Sequence, residues 1–209
     1  MIFGADIRRQ RALSVGALAI MVVVLLFPLA GRAERDSTAP RWDLSELLAG
    51  MRQVRAASAH FVERKYLQIV STPLQSSGTL RYVAPDWLEK QTFLPQPSRL
   101  TIAGGQVTVE REGETSRIIL LQDQPEIGAL VAGIRATMAG DLATLTQFYT
   151  PSLQGNATNW QLRLEPRDRR IREMVTAIII KGRWNGLISV ETQESDGDRT
   201  EMTIDADSK

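Results

Sequence analysis

The fold class follows from one segment, which reads Gly78-Thr79-Leu80-Arg81-Tyr82-Val83-Ala84-Pro85-Asp86-Trp87. Leu80 and Tyr82 alternate with more polar residues, which is the period of a β-strand with one apolar face. Pro85 lacks the N–H that a central strand position needs, so the strand ends there. A new alternating segment starts at Trp87, and only a short turn separates the two. The segment therefore predicts an antiparallel hairpin.

Similar short segments lie on both sides of this hairpin. Residues 57–62 precede it and place Phe61 in one alternation phase, and Val107 and Val109 share a phase further along. Glycine-containing turns at 103–105 and 112–114 separate the next segments. Since no long helix interrupts them, we expect an antiparallel, mainly β domain of the α+β class. The further predicted strands are 87–92, 98–102, 107–111, 116–121, 159–164, 175–181, 186–192 and 199–204.

Two regions show the helical period instead. Before the strands, Asp43 or Ser45 can cap a helix with an apolar stripe of Leu44, Leu47, Leu48, Met51 and Val54. Between the strands, Pro125 opens a second helix that ends at Gly140, and Asp141 caps a third that stops at Thr150-Pro151. A helical insert in a β-meander predicts a lid over the sheet, hinged at Gly140. The predicted lid residues are Ile127, Leu130, Val131, Ile134, Met138, Leu142, Leu145 and Tyr149.

The N-terminus has the three parts of a secretory signal peptide. A basic start is followed by an apolar run over 15–30 and by the small residues Gly31 and Ala33. We expect cleavage after Ala33, with an uncleaved membrane anchor as the alternative. The predicted organisation is a signal peptide at 1–33, a linker at 34–42, a domain at 43–205 and a tail at 206–209. Either form places the domain outside the cytoplasmic membrane.

Composition excludes several classes of protein. The chain of 209 residues has no cysteine and one histidine, which removes disulfides, zinc-thiolate sites and histidine-rich metal sites. A formal charge of +1 argues against nucleic-acid binding. We therefore expect no cofactor and no metal.

Catalytic arrangements are weak in this sequence. His60 is the only imidazole available to a nucleophile, and no Gly-x-Ser-x-Gly elbow accompanies it. Asp196-Gly197-Asp198 lacks the rest of a calcium loop and indicates a hairpin turn. The basic cluster at 167–172 indicates a solvated loop, with docking to an acidic partner or to lipid head groups as the alternative. We predict that the chain is not an enzyme.

The order of these segments resembles the LolA-like periplasmic lipoprotein carriers. The resemblance rests on 57–63 after an amphipathic helix, on 78–87 and on the closing hairpin at 191–200. It implies an unclosed, strongly curved antiparallel half-barrel, with an N-terminal helix and a helical lid over its concave face. Typical carriers place an arginine before the proline of the second strand to hold the lid, whereas this chain has Ala84.

The resemblance also implies a ligand and partners. The ligand would be the acyl chains of a lipoprotein or another lipid, carried by a monomer toward the outer membrane. An inner-membrane exporter and an outer-membrane acceptor would be its partners. The residues expected to line the lipid-binding cavity are Phe61, Leu80, Tyr82, Trp87, Val107, Val109 and Trp160. Two alternatives stay open: a non-carrying sensor or accessory domain, and a helper or enzyme acting on a hydrophobic substrate.

Overall fold

The computed structural model describes residues 42–206. They form eleven β-strands in one antiparallel sheet, with helices inserted at three points. The predicted signal peptide lies outside the described residues. No helix within 42–206 has the length and apolarity needed to span a bilayer. The strands are β1 (Ala56–Tyr66), β2 (Leu74–Val83), β3 (Trp87–Leu94), β4 (Ser98–Ala103), β5 (Gln106–Arg111), β6 (Arg117–Leu120), β7 (Tyr149–Asn156), β8 (Asn159–Pro166), β9 (Val175–Arg183), β10 (Gly186–Glu194) and β11 (Arg199–Ala206).

The sheet is a meander with one long-range pairing. Its order is β6-β5-β4-β3-β2-β1-β11-β10-β9-β8-β7, so β1 joins the first six strands to the last five. In that pairing Phe61 lies opposite Ile204 of β11. The edge strands β6 and β7 do not pair with each other, and the sheet is open. The prediction of an unclosed antiparallel sheet with a few helices is confirmed.

The helices begin and end where their capping residues predict. Helix α1 (Leu44–Arg52) is capped by the Asp43 carboxylate, which accepts hydrogen bonds from the backbone of Ser45 and Glu46 at 2.9 and 3.1 Å. Helix α2 (Pro125–Ala139) ends at Gly140, whose φ of 65° is a left-handed conformation that suits glycine. Asp141 caps helix α3 (Leu142–Phe148).

Two elements differ from the sequence-based expectation. Tyr149, expected on the helix, is the first residue of β7, and Pro151 lies inside that strand instead of marking a stop. An edge strand tolerates proline, because one side of its backbone has no partner strand. The basic cluster contains a short helix, α4 (Arg169–Arg172), capped by Asp168.

The core is divided into a large and a small cluster. The large cluster joins α1, α2 and α3 to strands β7–β9, and Trp42, assigned to the linker by sequence, packs against it. The small cluster joins Val131 of α2 to Ile102 of β4 and Val107 of β5. Both clusters lie on the helix-covered side of the sheet, which we call the inner face. The large cluster contains Leu47, Leu48, Met51, Ala136, Leu145, Tyr149, Trp160, Leu162, Leu164, Val175, Ile178 and Ile180.

Candidate functional site: the inner face and its lid

The strand register defines which predicted residues share the inner face. Phe61 lies opposite Gly78 of β2, and Leu80 and Tyr82 follow Gly78 in the same phase. From Tyr82 the pairing runs through Leu88 and Ile102 to Val107. A parallel row runs from Leu80 through Lys90 and Leu100 to Val109. The structure thus brings Phe61, Leu80, Tyr82, Val107 and Val109 together on one face.

The two predicted tryptophans are not part of this group. Trp87 pairs with Val83 at the start of β3, one residue out of phase with Leu88, so it is on the other face of the sheet. Trp160 is on the inner face but is only 1% exposed within the large cluster. Its Nε1 donates a hydrogen bond to the carbonyl oxygen of Trp184 at 2.8 Å. Trp160 is therefore a filled core position in the structure.

The two halves of the inner face differ in how completely they are covered. In the large cluster twelve residues are buried between α1, α2 and α3 on one side and β7–β9 on the other. In the small cluster only three are buried, and six apolar neighbours are only partly buried: Leu88, Leu100, Val109, Ile119, Leu121 and Ile127. The face of β3–β6 therefore keeps apolar surface that the chain does not cover itself.

The segment 125–148, which we call the lid, packs against both halves. Ile127 and Val131 contact the small cluster, while Leu130 and Leu145 contact the large one. Tyr149 follows the lid and is fully buried, and its hydroxyl donates to the carbonyl oxygen of Ala129 at 3.0 Å.

The buried face of α2 matches only part of the predicted stripe: Val131 is buried and Ile127 and Leu130 pack against the clusters. Ile134 and Leu142 are exposed, and Met138 is half-buried. The buried side chains of α2 are mostly small: Ala129, Val131, Gly133, Ala136 and Thr137. A Cβ at Gly133 would lie 2.5 Å from Cε2 of Tyr149, so the helix approaches the ring too closely for larger residues.

Polar contacts also join the lid to the turn between β2 and β3 and to α1. The Arg135 guanidinium of α2 forms an ion pair with Asp86, in the turn between β2 and β3, at 3.2 Å. The Arg52 guanidinium of α1 donates to the carbonyl oxygen of Gly140 at 2.8 Å. Ala84, which stands at the expected arginine position, donates its backbone N–H to Arg55. We call the Arg135–Asp86 pair the latch.

One buried polar atom lies beside the latch. Tyr82 is 3% exposed, and its hydroxyl makes no hydrogen bond to the described part of the chain. Burial raises the pKa of this phenol, while the nearby Arg55 and Arg135 act in the opposite direction. The hydroxyl is therefore a neutral donor at physiological pH.

The far end of the inner face is polar. Lys90 Nζ lies 2.6 Å from the Glu63 carboxylate and 5.0 Å from the centroid of the Phe61 ring. A cleft of about 680 Å³ opens there, lined partly by Glu63, Ser76, Lys90, Thr92, Ser98 and Arg111. The inner face thus changes from apolar under the lid to charged at its open end.

The described residues give little support to a catalytic or metal-binding site. Glu194, Asp196 and Asp198 place carboxylate oxygens within 4.8 Å of one another. However, Asp196 and Asp198 accept backbone hydrogen bonds within and beside the predicted hairpin turn. Clustered exposed carboxylates of this kind are common without an ion.

Comparison with known families agrees with this architecture. The sequence model for "Outer membrane lipoprotein carrier protein LolA-like" matches residues 37–208. The chain belongs to the LolA-like family. This family is in general one of non-enzymatic carrier and binding domains. No curated protein matches the chain significantly.

Solved structures similar to this LolA-like chain have low sequence identity. A LolA superfamily protein from Nitrosomonas europaea is 9% identical, with a TM-score of 0.43 over 77% of this chain and 89% of that one. A lipoprotein-sorting protein domain from Vibrio parahaemolyticus is 10% identical, with a TM-score of 0.42 over 77% and 88%. The MucA/MucB complex of Pseudomonas aeruginosa gives 11% and 0.39, over 79% of this chain and 56% of that one. Family membership rests on the sequence match, not on these likenesses.

Proposed function

We propose that this LolA-like chain is an exported carrier that binds the acyl chains of a lipid or lipoprotein on the inner face, beneath the lid. The supporting observation is the incomplete burial of the β3–β6 half. Leu88, Leu100 and Val109 keep exposed surface next to the lid residues Ile127 and Val131. An acyl chain laid between the lid and these strands would complete their burial.

The free energies of acyl-chain burial and of lid movement are consistent with a carrier that must also release its lipid. Each buried methylene contributes about 0.8 kcal/mol, so a 16-carbon chain gains on the order of 10 kcal/mol. Part of that gain is offset because the lid must move away from the small cluster, which holds only three buried residues. The latch is partly exposed and contributes little, about 1 kcal/mol or less. The latch itself therefore adds little to the free energy needed to move the lid off the small cluster, which is consistent with reversible loading.

The proposed setting follows from the N-terminus. A signal peptide at 1–33 would export the chain to the periplasm, where it acts as a monomer. An inner-membrane exporter would supply the cargo, and an outer-membrane acceptor would take it.

A non-carrying accessory domain is the second candidate. It is favoured by the large cluster, where the protein's own side chains fill the inner face of β7–β9. The test is binding of N-phenyl-1-naphthylamine, a neutral apolar dye, followed by its displacement with acyl lipids. A carrier should bind the dye at the inner face and release it to the lipid. An accessory domain of this fold should do neither.

A further inference from the structure

The Tyr82 hydroxyl is the starting point for a finer description of the ligand. Burying a hydroxyl without a partner costs free energy, because its hydrogen bonds to water are lost and none replaces them. Phenylalanine would fill the same space without that cost. Tyr82 is nevertheless only 3% exposed, and it lies on the inner face.

The charges around Tyr82 favour a negatively charged ligand. Arg55, Arg135 and Asp86 are the charged groups that act on its hydroxyl, two cations against one anion. Asp86 is already engaged with Arg135 at 3.2 Å. When the lid opens and this pair separates, Arg135 and the Tyr82 hydroxyl both become available to an acceptor oxygen.

We infer that Tyr82, with Arg135, forms a binding point for an anionic head group at the end of the acyl chain. The inference rests on the proposed function and names its ligand class: an acyl lipid that ends in a carboxylate or a phosphate. The Tyr82 hydroxyl donates a hydrogen bond to the anionic oxygen, and Arg135 exchanges Asp86 for the ligand. Head-group binding and latch release therefore favour each other.

The strand register also defines the direction in which the acyl chain of the ligand runs from Tyr82. Tyr82 pairs with Leu88, which is followed across the sheet by Ile102 and Val107. A head group at Tyr82 leaves this apolar row free for the methylenes. The partly buried residues of the small cluster then line the chain along its length.

The test compares three ligands with the same 12-carbon chain: dodecanoic acid, dodecyl phosphate and dodecan-1-ol. Each competes with N-phenyl-1-naphthylamine for the wild-type protein, for Tyr82→Phe and for Tyr66→Phe. Tyr66 is the matched control for two reasons. It follows Lys65, which shares the phase of Phe61 on β1, so Tyr66 lies on the opposite face of the sheet. Its hydroxyl already donates a hydrogen bond to the Glu201 carboxylate at 3.3 Å. A hydrogen bond to a charged group corresponds to roughly a tenfold to hundredfold change in affinity.

We expect at least one of the two anions to bind the wild type about tenfold or more tightly than the alcohol. The better anion identifies the head group as carboxylate or phosphate. In Tyr82→Phe the ratio of anion to alcohol affinity should fall about tenfold, while in Tyr66→Phe it should stay at the wild-type value. The melting temperature of Tyr82→Phe should equal or exceed that of the wild type.

Three results would overturn the inference. An equal affinity for anion and alcohol in the wild type would remove the head-group site, as would an unchanged ratio in Tyr82→Phe. A melting temperature several degrees lower in Tyr82→Phe would show that the hydroxyl is bonded in the free protein. These leave the proposed function standing. If none of the three ligands displaced the dye, the proposed function would fail as well.

Discussion

The Arg135 guanidinium on the lid lies 3.2 Å from the Asp86 carboxylate in the turn after β2. The family pattern would place the cation on the sheet side, at the position of Ala84. In this chain the cation is on α2 and its acceptor is two residues after Ala84. The lid is therefore joined to the same turn by a cation on the lid instead of a cation on the sheet side.

Removing the latch should loosen the lid. Arg135→Gln deletes a partly exposed ion pair, which contributes about 0.5–1 kcal/mol. We expect hydrogen exchange in 125–148 to speed up about two- to fivefold, with β8 and β9 unchanged. The matched control is Arg163→Gln, which removes the Arg163–Glu165 pair on β8. Equal lid protection in the wild type and Arg135→Gln would mean that the latch does not hold the lid.

The close approach of α2 to Tyr149 can be tested with one methyl group. Gly133→Ala places a Cβ 2.5 Å from the Tyr149 ring, so the helix must shift. We expect the free energy of unfolding to fall by about 1–3 kcal/mol, as overpacking usually costs. Gly50→Ala on α1 is the control, because its Cβ would meet only Asn185 at 3.9 Å. That variant should be neutral or stabilised by up to about 1 kcal/mol. Equal stabilities of the two variants would contradict this packing.

A charge in the small cluster should expel the acyl chain. Leu88→Glu puts a carboxylate on the inner face, where burial beside hydrocarbon costs several kcal/mol. We choose Leu88 because Leu80 lies opposite Lys90, which could neutralise an introduced carboxylate. Acyl binding should weaken at least about thirtyfold while circular dichroism still reports a folded sheet. Val83→Glu, on the exposed face of the neighbouring strand, should bind as the wild type does.

The cap of α3 should make the lid sensitive to acid. Hydrogen bonds from Thr144 hold the pKa of Asp141 below its usual range. A lowered pKa means that the stabilisation is present above the carboxyl's ordinary pKa and is lost as the pH falls through the folded value. Asp141→Ala should therefore cost about 1 kcal/mol at pH 7 and little at pH 2. Urea titrations of both proteins at the two pH values check this, and a pH-independent difference would argue against the cap.

Features of the fold that depend on local sequence patterns could be predicted from the sequence. Alternation identified Phe61, Leu80 and Tyr82 as one face, and capping chemistry located the ends of α1 and α2. It missed β7, because Pro151 resembles a stop unless the strand is known to be an edge. It also misplaced Trp87, since the turn at 84–86 sets the phase of β3 and that phase is not visible in the alternation of β2.

Features that depend on tertiary contacts could not be predicted from the sequence. The buried stripe of small residues on α2 is set by the ring of Tyr149 sixteen residues after Gly133. The latch joins residues 86 and 135, and nothing in either local sequence indicates the pairing. An unpartnered buried hydroxyl such as that of Tyr82 becomes visible only when its surroundings are known.

Native mass spectrometry of the full chain, expressed and exported in its own envelope, tests directly whether the inner face carries an acyl lipid. We expect the mass of the polypeptide starting near Glu34 plus a discrete mass of an acyl lipid. That adduct should be absent from Leu88→Glu and present in Val83→Glu. A wild-type spectrum that shows only the bare polypeptide, from protein that also fails to bind the apolar dye, would mean that the inner face carries no acyl lipid.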